Sequence, residues 1–150
     1  MNQELLRHLL DACFYGKQIT ELMPPLPPKM KPRHIHVINA IHVLQEKQEY
    51  VRISDVSHAL RVTTPSVTKL INELEVYGVV EKHANEEDRR ITTLTLTPLG
   101  VEYYTLYIRD YHSQLSKLLQ SLDEKDCDTT IQTLEKMYQI MKAHSIKITK

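Results

Sequence analysis

Glycine is scarce in this 150-residue chain, with Gly16, Gly78 and Gly100 as the only three. A phosphate-cradling loop or a dinucleotide fingerprint needs several glycines within a few residues, so neither can be assembled here. Cysteine is equally thin. Cys13 and Cys127 stand far apart and form no CxxC pair, which argues against a zinc ribbon or a disulfide framework and fits a reducing cytoplasm. No apolar run approaches the ~18 residues of a membrane span. The first ten residues are interrupted by Glu4, Arg7 and His8, so a cytoplasmic protein is the expectation. An excess of one charge is missing too: 19 basic and 19 acidic side chains balance. No overall field therefore draws the molecule to nucleic acid, and any such surface must be locally basic. With no nucleophile-base motif, metal pair or phosphate loop in view, an enzyme is not expected, and no cofactor is implied.

What the chain does have is helical periodicity broken by clear punctuation. A chain of 150 residues suits one functional module. Leu5, Leu6, Leu9, Leu10, Cys13 and Phe14 fall at helical spacing over residues 3 to 22. Pro24, Pro25, Pro27 and Pro28 then impose an extended spacer. A second helix is predicted from Lys31 or Pro32 to about Gln48, with Ile35, Ile38, Ile41 or His42, and Val43 or Leu44 inward, and a short strand at Tyr50 to Arg52. Ile53, Val56, Ala59 and Leu60 mark a third helix, which stops at Arg61-Val62. After a turn over Arg61 to Thr64, Thr63 or Thr64 caps a fourth helix, Pro65 suits its first turn, and Gly78 ends it. Val79 to Lys82 and the Thr-rich Ile91 to Leu96 read as two strands around a polar tip at Asn85 to Asp88. Thr97-Pro98 opens a long helix that passes Tyr103, Leu106, Tyr107, Leu115, Leu118 and Leu119. A break at Ser121 to Glu124 precedes a last helix over Lys125 to Ala143.

The order of helix, turn, helix and hairpin between Ile53 and Gly100 is how a chain presents a helix to the major groove of DNA beside a hairpin for the minor groove. With Val67, Leu70, Ile71 and Leu74 turned to the core, Pro65, Thr68, Lys69, Asn72 and Val76 face the other way. That face is small, polar and singly basic, as groove entry requires. Asn72 could pair bidentately with adenine, Lys69 could meet guanine or phosphate, and Thr64, Ser66 or Thr68 could contact either. In the hairpin, Arg89 and Arg90 follow the acidic Glu86, Glu87 and Asp88. An arginine there suits a narrow minor groove, with Asp88 holding its guanidinium. The plainer alternatives are an ordinary polar helix face and an exposed salt-bridge cluster.

Residues about 32 to 104 resemble the MarR family of bacterial winged helix-turn-helix regulators. The resemblance rests on Thr63-Thr64-Pro65-Ser66-Val67-Thr68-Lys69-Leu70-Ile71, Leu74-Glu75-x-x-Gly78-Val79-Val80, Asp88-Arg89-Arg90 and Leu94-x-Leu96-Thr97-x-x-Gly100, in that order. It implies a mainly α protein with a small antiparallel β-hairpin wing, the DNA-binding lobe at residues 32–100 and dimerisation helices at 1–23 and 101–147 of a single 1–150 chain. It further implies a homodimeric, ligand-responsive repressor on a roughly palindromic operator of double-stranded DNA, its two lobes about 34 to 36 Å apart. The groove-reading helix would fall on Thr64 to Tyr77 and the minor-groove arginine on Arg90, with Asp88 as its brace. Two departures stand out: Arg52 occupies the usual Ser or Thr cap of the third helix, and the proline stretch precedes the second.

Three sensing chemistries are open. Cys13 lies where some relatives carry an oxidant-sensing cysteine, although Lys31 stands where those sensors have a supporting tyrosine. His34-x-His36 points to opposite helix sides, and no two of the eight histidines are three or four apart, so no metal site is assigned, a distant pairing of His42 or His112 with carboxylates being the weak alternative. Tyr103, Tyr107, Tyr111 and His42 are the candidates for an amphipathic effector pocket, the alternative being that these tyrosines pack dimer helices. The rival to DNA binding as a whole is a winged-helix protein-interaction module, which the balanced charge would suit.

Overall fold

The computed structural model describes residues 1–84, 88 and 90–144, so the hairpin tip at Asn85 to Glu87, Arg89 and the end of the expected 101–147 segment lie outside the described residues. Two compact units are resolved, Met1–His112 and Ser113–Lys150. In chain order the elements are α1 (Gln3–Glu21), α2 (Pro32–Gln45), β1 (Val51–Arg52), α3 (Ile53–Leu60), α4 (Thr64–Val76), β2 (Val80–Ala84), β3 (Thr92–Leu96), α5 (Pro98–Tyr104), a π-helical segment (Thr105–Asp110), α6 (Tyr111–Leu118) and α7 (Glu124–Ala143). The mainly helical class with a small antiparallel wing is the one the sequence indicated.

The first unit is built around one core. Ile35, Val37, Ile38 and Ile41 of α2 meet Val56 of α3, Val67, Ile71 and Leu74 of α4, Val51, Val80 and Leu94 of the sheet, and Ile108. The inward stripe of α4 is as expected, with Leu70 half-buried at its margin. Pro32 stands at the start of α2, where its missing N–H costs nothing. That helix ends at Gln45 rather than Gln48.

Three local features differ from the sequence reading. The sheet has three strands rather than a lone hairpin, in the order β1-β3-β2, because Val51 pairs with Leu94 and Arg52 with Thr93 on the free edge of β3. That pairing ties the wing to the chain entering α3. Second, Arg52 opens α3 without a capping side chain; instead the carboxylate of Asp55 reaches back to accept its backbone N–H at 2.8 Å and the Gln48 amide at 3.0 Å. One half of a capping box thus does the work of the missing Ser or Thr. Third, the helix opened by Thr97-Pro98 is interrupted by six π-helical residues, Thr105–Asp110.

Two glycines hold the wing against α4. Gly78, at φ 72°, ends α4 in the left-handed region, and the Val79 N–H then bonds to the Leu74 carbonyl at 2.9 Å. Gly100 matters for space, since a Cβ there would collide with the Val79 carbonyl oxygen. That oxygen already accepts from the Thr97 N–H at 3.1 Å and is not free to retreat. Gly100→Ala should therefore destabilise the protein by about 1–3 kcal/mol, measured as a lower urea midpoint with unchanged m-value; an unchanged midpoint would show that this crossing is not tight.

Candidate nucleic-acid interface

The candidate site is the solvent face of α4. Thr64, Pro65, Ser66, Lys69, Asn72 and Val76 are exposed and Thr68 is half-buried. A shallow, open groove runs along this face past Pro65, Thr68, Lys69, Asn72 and Val76. The structure thus brings Thr64, Pro65, Thr68, Lys69 and Asn72 together, while Ser66 lies on the adjoining flank toward α2. Its first turn is held from two sides, by Ser57 Oγ of α3 at 3.2 Å from Thr64 Oγ1 and by Thr63 Oγ1 at 2.9 Å from Ser66 Oγ. Thr63 is the cap residue, but its hydroxyl meets Ser66 rather than a backbone N–H. The Thr68 hydroxyl donates to the Thr64 carbonyl at 2.9 Å, which leaves its oxygen as an acceptor.

Asn72 is more constrained than the sequence suggested. Lys82 Nζ of β2 donates to Asn72 Oδ1 and to Glu75 Oε2, each at 2.6 Å. An ammonium only donates, so the amide oxygen must face it and the NH₂ group is what Asn72 offers outward. Two-point pairing with adenine needs that same oxygen. Asn72 can make it only by sharing or releasing Lys82. The signal for Lys82 was present in the alternation of β2, where Val80 is buried and Lys82 lies on the same strand face toward α4.

A second constraint went unread. His34 is fully buried. Its Nδ1 accepts the backbone N–H of Lys31 at 2.9 Å, so its Nε2 carries the hydrogen and donates to Glu73 Oε2 at 2.7 Å. The ring also meets Tyr77 edge-on at 5.8 Å between centroids. One imidazole therefore closes the start of α2 and grips the flank of α4. The clue was positional: His34 is the third residue after Lys31, where a capping box usually places Glu or Gln.

In the wing, Arg90 is exposed. The Asp88 carboxylate accepts the backbone N–H of Arg90 at 2.9 Å, while the Asp88 carbonyl accepts from Ile91 N–H at 2.9 Å. Asp88 thus shapes the peptide that carries Arg90. Arg89 lies outside the described residues.

The aromatic candidates are distributed differently from one shared pocket. Tyr103 and Tyr107 contact each other edge-to-face at 5.7 Å and pack on the core. Tyr111 donates its hydroxyl to the Leu22 carbonyl at 2.7 Å, so it pins the end of α1. His42 stacks on Tyr104, with ring centroids 3.5 Å apart, and not on the other three. Among the described residues no three His, Cys, Asp or Glu side chains are gathered to hold a metal ion.

This arrangement is that of a winged helix-turn-helix protein: α3 and α4 form the helix pair, and β2 and β3 the wing. Residues 32–86 match the family described as the iron dependent repressor, N-terminal DNA binding domain; no metal-ligand set among the described residues carries the iron of that description to this chain. The chain is 27% identical to the transcriptional repressor MprA of Escherichia coli K12 over 99 residues, which span 65% of this chain and 56% of that protein. Among solved structures it is similar to Streptococcus pneumoniae FabT in complex with DNA, at 26% identity and TM-score 0.67, covering 95% of this chain and 99% of FabT. It also shares the fold of a MarR/EmrR family transcriptional regulator from Acinetobacter sp. ADP1, at TM-score 0.72 and 17% identity, covering 96% of this chain and all of that one, 100%. The fold is thus the one found in MarR-family winged helix-turn-helix regulators, to which the chain is similar.

Glu73 also gives the site a pH signature. The hydrogen bond from His34 holds its carboxyl below the ordinary value of 4.5, opposed by desolvation and reinforced by the charges of Lys69 and Lys31. A carboxyl depressed in the folded state contributes stability that is complete above its unfolded value and is lost as pH falls through the folded one. Glu73→Gln should therefore flatten the acid limb of a stability profile taken from about pH 5 to about pH 3. An acid limb as steep as that of the parent protein would refute the coupling.

Proposed function

We propose that this protein is a sequence-specific transcriptional regulator, a repressor that binds double-stranded DNA as a homodimer, with α4 in the major groove and Arg90 of the wing at the minor groove. The observation that carries the reading is the solvent face of α4. Val67, Ile71 and Leu74 are buried, which leaves a narrow polar face of Pro65, Lys69 and Asn72, with half-buried Thr68 among them, toward the N-terminal end, where a recognition helix approaches base edges. Likeness to a protein solved with DNA and to a named repressor supports it. Arg89 belongs to the same assignment by sequence alone.

The dimer is supported by apolar side chains left exposed on the terminal helices. Phe14, Tyr15 and Ile19 of α1 are each more than 60% exposed, and Ile131, Ile140 and Met141 of α7 more than 50%. Faces of this kind on a soluble regulator call for a partner surface. No helix among the described residues is long and apolar enough to cross a membrane, and the reading locates the protein in the cytoplasm. It gives the chain no catalytic role. An effector would act by changing the separation of the two reading heads; Tyr103, Tyr107, Tyr111 and His42 remain its candidate lining through the rearrangement of their present contacts.

Selection of bound genomic fragments by the purified protein would supply the operator. On it, Lys69→Ala with Arg90→Ala should abolish the footprint while sedimentation still reports a dimer. A footprint equal to that of the parent protein would defeat the assignment of these residues. Salt separates this reading from a protein-interaction module: affinity through phosphates falls steeply between low and physiological salt, by about 10³–10⁵ when roughly six to ten phosphates are neutralised.

A further inference from the structure

We infer that the flank of α4 that faces the start of α2 is a phosphate-binding cleft, formed by Lys31, Arg33, Ser66 and Lys69, which seats one backbone phosphate of each DNA half-site. The inference rests on the DNA-binding reading above and adds to it residues outside the recognition helix. A helix advances about 100° per residue, so Ser66 and Glu73 stand one step round from the reading-face residues Pro65 and Asn72. When the reading face enters a groove, that flank is turned to the groove wall, which is made of phosphates.

A cleft of about 140 Å³ lies there, lined by Lys31, Arg33, Ser66, Lys69, Leu70 and Glu73. At about 30 Å³ for each water-sized group, it has room for the free oxygens of a phosphate. Three cations face one carboxylate, and that carboxylate is already committed to His34 at 2.7 Å. Neither lysine nor Arg33 is in an ion pair among the described residues. The first turn of α2 carries no acidic residue, so the positive end of that helix adds to the field instead of being offset. The opposite flank of α4 differs. There Lys82 is held by Glu75 and Asn72 at 2.6 Å each. The mounting is rigid, because the Lys31 peptide is fixed by the bond of its N–H to buried His34 at 2.9 Å.

The test measures affinity for the selected operator against salt, with the full-length protein. Lys31 and Arg33 line the cleft from the first turn of α2 and its cap, outside the apolar core, so Lys31→Ala with Arg33→Ala should fold and dimerise normally. The slope of log affinity against log salt should shrink by about 0.9 for each phosphate that is no longer neutralised, hence by about 2 for a dimer on two half-sites. All operator variants should weaken by the same factor, and Lys31→Arg with Arg33→Lys, which keeps both charges, should hold the parent slope. An unchanged slope in the double alanine variant overturns the cleft, and so does a change confined to particular base positions. A parent protein with no footprint and a flat salt response would instead overturn DNA binding itself, and the cleft with it.

Discussion

Every functional statement about this chain depends on the rotation of α4 about its own axis, and that rotation is set by three side chains. Val67, Ile71 and Leu74 have no solvent exposure. Burying each stabilises the fold by about 1.5–3 kcal/mol, so turning the helix by even one residue would forfeit most of that gain. The polar contacts around α4 are too few to offset it. Hydrophobic burial therefore decides which residues can meet a ligand, and the groove-facing set of Pro65, Lys69, Asn72 and Val76 is the remainder. Gly78 and Gly100 serve the same end, since one turns the chain out of α4 and the other lets α5 cross close to the Val79 carbonyl.

Rotation alone does not fix a helix along its length or sideways, and here the polar interior contributes. A buried histidine is tolerated when both ring nitrogens are satisfied, and His34 meets that condition with one partner at the cap of its own helix and one in α4. Its geometry admits one tautomer. Unlike apolar packing, such a bond has a narrow range of distances and angles, so it sets the relative position of α2 and α4. On the other side of α4, Lys82 does a similar service for the wing by linking β2 to Asn72 and Glu75. Helix α4 is thus centred between two polar ties, one to each neighbouring element.

Much of this could be read from the chain. The apolar stripe of α4, the Thr-Pro starts and the stop at Gly78 are local signals, set by periodicity and backbone freedom, and they place α3, α4 and the strands to within a residue or two. The reading face followed by subtraction. What escaped were contacts between residues distant in sequence. His34 and Glu73 are 39 residues apart and Tyr111 and Leu22 are 89 apart, and no local rule names such partners. The edge pairing of β1 escaped because two residues carry too little pattern to define a strand's neighbour. The exposure of Asn72 was legible but not its orientation, which a lysine ten residues away decides.

The balanced charge of the chain is compatible with a DNA-facing surface once the acids are followed to their partners. Around the helix-turn-helix, Asp55 serves the start of α3, Glu73 serves His34, and Glu75 serves Lys82. Each is held by a donor inside the fold, at a position dictated by packing or capping. The cations Lys31, Arg33, Lys69 and Arg90 have no such duty and stay at the surface. Glu75 is neutralised by Lys82, while Asp55 and Glu73, which accept from uncharged donors, keep their charge but are held in fixed places, so the field at the surface depends on where each charge sits and not on their sum. Net charge therefore says little about binding here; what decides the local field is which charges the fold itself has already used.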